Sequence, residues 1–150
     1  MITHDSRNNL PKSDATNAYD LLTDVCKVID AEPKRINMGF VCIRGAALQR
    51  TYGCIHLEIP SCNTIGCIAG WCLVTKQHPC IMDPDIQIGF ATRDAQLMLG
   101  LSYDQGHVLF WPVDLLNDPN KQSRAHADAV IAHIKTFQAK YPEQLLAKGV

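Results

Sequence analysis

Charge nearly disappears from the middle of this chain. Between Ile36 and Met82 the only formal charges are Arg44, Arg50, Glu58 and Lys76. Six of the seven cysteines (Cys42, Cys54, Cys62, Cys67, Cys72 and Cys80) fall in the same stretch. Segments that avoid charge lie inside, and free cysteine packs as a small hydrophobe. Residues 36–82 are therefore expected to thread the core, with helices before and after covering them.

The chain has 150 residues, the size of one domain. Charged residues make up 19%, below the roughly 25% of an average globular chain. Fourteen Lys and Arg face fifteen Asp and Glu. This balance excludes a disordered chain and a strongly basic nucleic-acid binder. The N-terminal segment MITHDSRNNLPKSD has no basic stretch leading into an apolar one, so it does not read as a secretory signal. The longest apolar run, Ile65 to Val74, is about half of what a bilayer span needs. A soluble, cytoplasmic protein with reduced thiols and no membrane partner is expected. The odd cysteine count agrees with that. Residues 1–12 are polar and expected to be a loose tail. Residues 13–150 are expected to form a single globular domain.

Periodicity predicts the elements. Ala18, Leu21, Leu22, Val25, Val28 and Ile29 recur at helical spacing, so a helix is expected over 14–30, capped by Ser13 and stopped by Pro33. Ile55, Leu57 and Ile59 alternate with Cys54, His56 and Glu58, a half-buried strand pattern, with 40–43 as its expected partner. Thr64 or Asn63 should cap a central helix from Ile65 to Lys76. Gly66 and Gly70 share one face of it, and glycine inside a helix costs about 1 kcal/mol relative to alanine. That cost makes sense where another backbone comes very close. Further helices are expected from Thr92 to Leu99 ended by Gly100, from Ser102 to Phe110 with Gln105 completing a capping box, from Ser123 onward, and after Pro142. The expected fold is a mainly helical α+β domain. Its buried central helix packs between the N-terminal helix and the C-terminal pair, bordered by a small β element.

The chemistry has several readings. Cys54, His56, Cys62, Cys67, Cys72, His78 and Cys80 offer zinc's preferred donors. Their spacing suits a zinc knuckle poorly. Cys67 and Cys72 lie about 140° apart around a helix and point to different sides. Buried free thiols and no metal are expected, with a small zinc-stabilised module as an alternative. Cys67 at a helix start, or Cys62 just before it, could act as a nucleophile with His107 as base and Asp114 as orienter. Papain-like peptidases place that histidine on a strand, whereas the capping box puts His107 on a helix. The 97–111 stretch has the rhythm of a DNA-reading helix pair. Its second helix, however, offers no Lys or Arg to base edges, so no nucleic-acid partner is expected. Neither dinucleotide nor P-loop glycine patterns occur. His126 and His133, two turns apart, are expected to face water. A lone carboxylate in an apolar stretch singles out Glu58, which is expected to face solvent from its strand, and His56 shares its face.

The decade Cys62-Asn63-Thr64-Ile65-Gly66-Cys67-Ile68-Ala69-Gly70-Trp71 resembles a motif of small, uncharacterised bacterial and phage proteins, Cys-Gly-Thr-x-x-Cys-x-Ala-Gly-Trp. Leu99-Gly100-Leu101 followed by Leu109-Phe110 is similar to that family's Leu-Gly-Leu and Leu-Phe. Asn63 stands where the family has glycine, and asparagine tolerates the left-handed backbone such a turn requires. The resemblance implies a bacterial or mobile-element gene and brings no activity with it. The expected function is a non-catalytic binding or regulatory module for a protein or small molecule, without a cofactor. Its candidate ligand-binding residues are His56, Glu58, Cys62, Cys67 and Trp71. A cysteine-dependent enzyme using Cys67 or Cys62 is the remaining alternative.

Overall fold

Helix α1 (Ala18–Ala31) turns its predicted stripe inward: Ala18, Leu21, Leu22, Val25, Val28 and Ile29 are all buried in the computed structural model. The structure describes residues 2–5, 10–38, 41–44, 47–48, 58–81, 83, 87–88 and 91–150. The helix starts four residues later than expected. Its cap is Asn17, whose side chain accepts the Asp20 N–H at 2.8 Å. Ser13 has a different task. It ends strand β2 (Leu10–Ser13), and its hydroxyl donates to buried Asp24 at 2.6 Å.

Strand β2 pairs antiparallel with β1 (Ile2–Asp5), Ile2 opposite Ser13 and Asp5 opposite Leu10. Of the expected loose tail at 1–12, the described residues 2–5 and 10–12 are thus paired strands. The anchor of the pair is Leu10, a buried member of the main core, and β2 packs on the central helix. Ile2 and Leu10, eight residues apart among mostly polar neighbours, are a weak periodic signal, which is why sequence pattern misses the pair.

The second sheet is built on β3 (Cys42–Arg44). It pairs on one side with β4 (Thr64–Gly66) and on the other with β5 (Gln87–Ile88), both antiparallel. The expected strand over 54–59 lies mostly outside the described residues, and 58–59 are not in a strand. Of its expected partner over 40–43, Phe40 lies outside the described residues and Cys42 and Ile43 belong to β3.

Helix α2 (Ile68–Thr75) is the expected central helix, shortened at its start because Thr64–Gly66 pair with β3 instead. Every residue of it is buried. It touches α1, β2 and two of the following helices, so no face is left for solvent. The glycines do what their spacing implies. A Cβ on Gly70 would stand 1.5 Å from the Val41 carbonyl oxygen, and one on Gly66 would stand 2.8 Å from it. The closely approaching backbone is that of Val41, the residue before β3.

The C-terminal half follows its local signals. Helix α3 (Thr92–Met98) ends at Gly100, whose φ is 67°. Thr92 is its first helical residue, and Ala91 occupies the cap position. Helix α4 (Tyr103–Phe110) carries the predicted capping box, with the Ser102 oxygen on the Gln105 N–H and the Gln105 side chain on the Ser102 N–H. A short α5 (Val113–Leu116) follows, unforeseen in the sequence. Helix α6 (Arg124–Lys140), capped by Ser123, lays Ala127, Val130, Ile134 and Phe137 against α1, and α7 (Pro142–Ala147) closes the chain. The last residues return to the start of α1, where Val150 N–H donates to the Thr16 carbonyl. The result is a mainly helical α+β domain. No helix among the described residues is long and apolar enough to cross a membrane.

Candidate functional site

The segment Cys62–Trp71 is a turn, a strand and a helix start wrapped around one point of the core. Pro60 accepts the Asn63 N–H at 2.9 Å, and Asn63 takes the left-handed φ of 52°. Ser61 ties the turn to the end of α1, with its amide and hydroxyl donating to the Glu32 carboxylate at 2.8 and 2.6 Å. Burial alone would raise the Glu32 carboxyl. The Ser61 bonds and the Arg35 and Lys34 charges outweigh it and hold the group below the usual carboxylate value. Thr64 donates to the Cys62 carbonyl and accepts from the buried Arg44 guanidinium. Trp71 is fully buried, its indole N–H donating to the Arg35 carbonyl at 2.9 Å.

Three of the five expected site residues, Cys62, Cys67 and Trp71, are thus brought into one buried unit. Their environment suits packing better than chemistry. Burial pushes the Cys67 thiol up to about 11, against the lowering effect of the Gly70 and Ala69 amides at the start of α2. Cys62 is also raised by burial, although Arg35 and the Thr64 backbone pull it down. Cys42 is pushed up to about 12 and Cys26 to about 11, in both cases by burial first. Neutral buried thiols are poor nucleophiles and poor metal ligands until they lose their protons. Among the described residues, no three His, Cys, Asp or Glu side chains are grouped so that they could hold a metal ion.

The other two residues do not join them. Glu58 is exposed, and its backbone is clamped at both ends by Gln122. Its N–H donates to Gln122 Oε1 at 2.9 Å, and its carbonyl accepts from Gln122 Nε2 at 2.8 Å. His56 lies outside the described residues. His107 sits on α4 as its capping box requires, exposed and stacked on Tyr103 at 6.3 Å between centroids. His126 corrects an expectation. It is buried, with Nδ1 2.9 Å from an Asp118 carboxylate oxygen. His133 bonds through Nε2 to the Val108 and Leu109 carbonyls.

A different surface stands out. Tyr103 is 74% exposed, Val108 54%, Trp111 39% and Val113 66%. These four are among only six large hydrophobic residues exposed anywhere in the described chain. On α4, Gly106, Leu109 and Phe110 point inward. At 100° per residue His107 and Val108 fall on the other side, Tyr103 borders the buried edge beside Phe110, and Trp111 follows as the C-cap. The sequence carries this signal as apolar residues off the buried stripe. It is easy to overlook, because scattered surface hydrophobics are common. Compared with protein-family models, with curated protein sequences and with solved structures, the chain matches none.

Proposed function

We propose that this chain is a non-catalytic binding module that engages a protein partner through the outer face of α4 and α5. The carrying observation is the aromatic and aliphatic surface of Tyr103, Val108, Trp111 and Val113 in one short stretch. Apolar surface of this kind, rich in Tyr and Trp, is the composition of protein interfaces. The exposed polar residues of α4 are Asp104 and His107, without Lys or Arg, which favours a protein over nucleic acid. The resemblance of the Cys62–Trp71 motif supports a bacterial or mobile-element origin. Buried, protonated thiols at Cys62 and Cys67 speak against the thiol-enzyme alternative.

Selection from a random phage-displayed peptide library tests the reading without knowledge of the partner. Peptides enriched on the wild-type chain should bind the Tyr103→Ala/Trp111→Ala chain at least about tenfold more weakly, since interface aromatics often contribute 2 kcal/mol or more. Equal binding to both folded chains would refute this face as the binding surface.

A further inference from the structure

The C-terminal end of α2 holds an imidazole and a thiol together. Gln77 takes a left-handed φ of 53°. His78 N–H donates to the Leu73 carbonyl at 2.9 Å and Gln77 N–H to the Val74 carbonyl at 3.0 Å. This pair of bonds is a Schellman closure, and it fixes the backbone of His78. Pro79 then opens the 3₁₀ turn Pro79–Ile81, closed by the Ile81 N–H on the His78 carbonyl.

The imidazole is fixed as well. Its Nδ1 accepts the Cys80 backbone N–H at 3.2 Å, and Cys80 Sγ lies 2.9 Å from the same nitrogen. A nitrogen that accepts from a backbone amide carries a lone pair there, so the proton between Nδ1 and Sγ belongs to sulfur. The five other described cysteines are buried, while Cys80 is half-buried and reaches the surface. Nucleophile and base within hydrogen-bond reach is the arrangement that activates a thiol, and here the turn that holds the His78 and Cys80 backbones sets that reach.

We propose that Cys80 is a covalent modification site for a low-molecular-weight disulfide, with His78 Nδ1 as the base that takes its proton. Sγ attacks one sulfur of the disulfide as its S–H proton passes to Nδ1. A Cys80–sulfur bond forms, the S–S bond of the reagent breaks, and the departing thiolate collects the proton. The products are a mixed disulfide on Cys80 and one free thiol, so the reagent is itself the oxidant. Burial first, and then the Asp94 charge, raise the Cys80 thiol above its ordinary value. Little thiolate forms spontaneously, and reaction depends on the neighbouring base.

The test uses the reduced full-length chain, glutathione disulfide and peptide mass mapping over time. The folded wild-type chain should carry the adduct at Cys80. His78→Gln should slow that reaction about a hundredfold or more, the low end of general-base effects. Both chains should react alike once unfolded in urea. A second readout is the pH profile. Between about pH 7.5 and 8.5 the wild-type rate should rise less than about threefold, whereas a thiol ionising unaided rises about tenfold per unit below its pKa. An unmodified Cys80 in the folded chain, equal rates for folded wild type and His78→Gln, or a tenfold rise with pH would each overturn the proposal.

Discussion

The chain's two most distinctive regions are opposites in everything but hydrophobicity. The Cys62–Trp71 segment is rich in cysteine and glycine, is the most motif-like stretch in the sequence, and is buried nearly throughout. The 103–113 stretch carries only weak signals in the sequence, yet it places four large apolar side chains in water. In the first region every unusual residue has a local structural use. Gly66 and Gly70 admit the Val41 carbonyl, Asn63 takes the left-handed turn, and Trp71 bonds the Arg35 carbonyl. In the second, burial explains Leu109 and Phe110, while Tyr103 and Val113 stay largely exposed. An odd composition inside a core reflects tight packing, and unexplained apolar exposure points outward to a partner.

Substitutions should separate the two regions sharply. The largest effect is expected at Gly70→Ala, because a Cβ there has the Val41 carbonyl oxygen at 1.5 Å and only backbone could move. Urea unfolding should show a loss of at least about 3 kcal/mol, the upper range for overpacking, or no soluble protein at all. A wild-type midpoint would mean that the chain entering β3 does not lie against this helix.

Alkali should come next. Thiols raised in the folded state bind protons that the unfolded chain releases, so stability falls as pH climbs from the unfolded value of 9.0 toward the folded values of about 11 for Cys26 and Cys67 and about 12 for Cys42. By linkage each should cost about 1 kcal/mol at about pH 10. Unfolding midpoints at neutral and alkaline pH measure it, and a flat profile to about pH 10 would place these thiols in water. Trp71→Phe should cost about 2 kcal/mol through the lost indole bond and the space left behind. A calorimetric change below about 0.5 kcal/mol would contradict the role given to that bond. Tyr103→Ala should have the smallest effect on stability, under about 0.5 kcal/mol, as expected for an exposed side chain. A larger loss would show that Tyr103 supports the fold.

What the sequence made legible follows the range of the interactions involved. The capping box at Ser102 and Gln105, the Ser123 cap and the Gly100 terminator act within a few residues, and each sits where local chemistry predicts it. The α1 stripe is equally plain, because a long amphipathic period is a strong signal. The start of the central helix was not legible. Thr64–Gly66 can cap or begin a helix locally, and only pairing with Cys42–Arg44, some twenty residues away, makes them a strand. The same holds for His126, buried and bonded to Asp118 across a loop, and for the strand pair that Leu10 secures. The glycine spacing did reveal a close backbone, though not that Val41, just before β3, supplies it. The His78–Cys80 pair hid behind a proline, since nothing in its spacing foretells the Schellman closure that brings the two together.

The contrast between a packing core and a binding face is tested most directly by one pair of dissociation constants. A peptide selected on the wild-type chain would be titrated against Cys62→Ala and against Trp111→Ala, both confirmed folded. Cys62→Ala, though less stable, should bind within about twofold of wild type. Trp111→Ala should bind about tenfold or more weakly at nearly unchanged stability. The reverse pattern, with binding lost at Cys62 and kept at Trp111, would contradict the assignment of the cysteine-rich segment to packing and of the α4–α5 face to recognition.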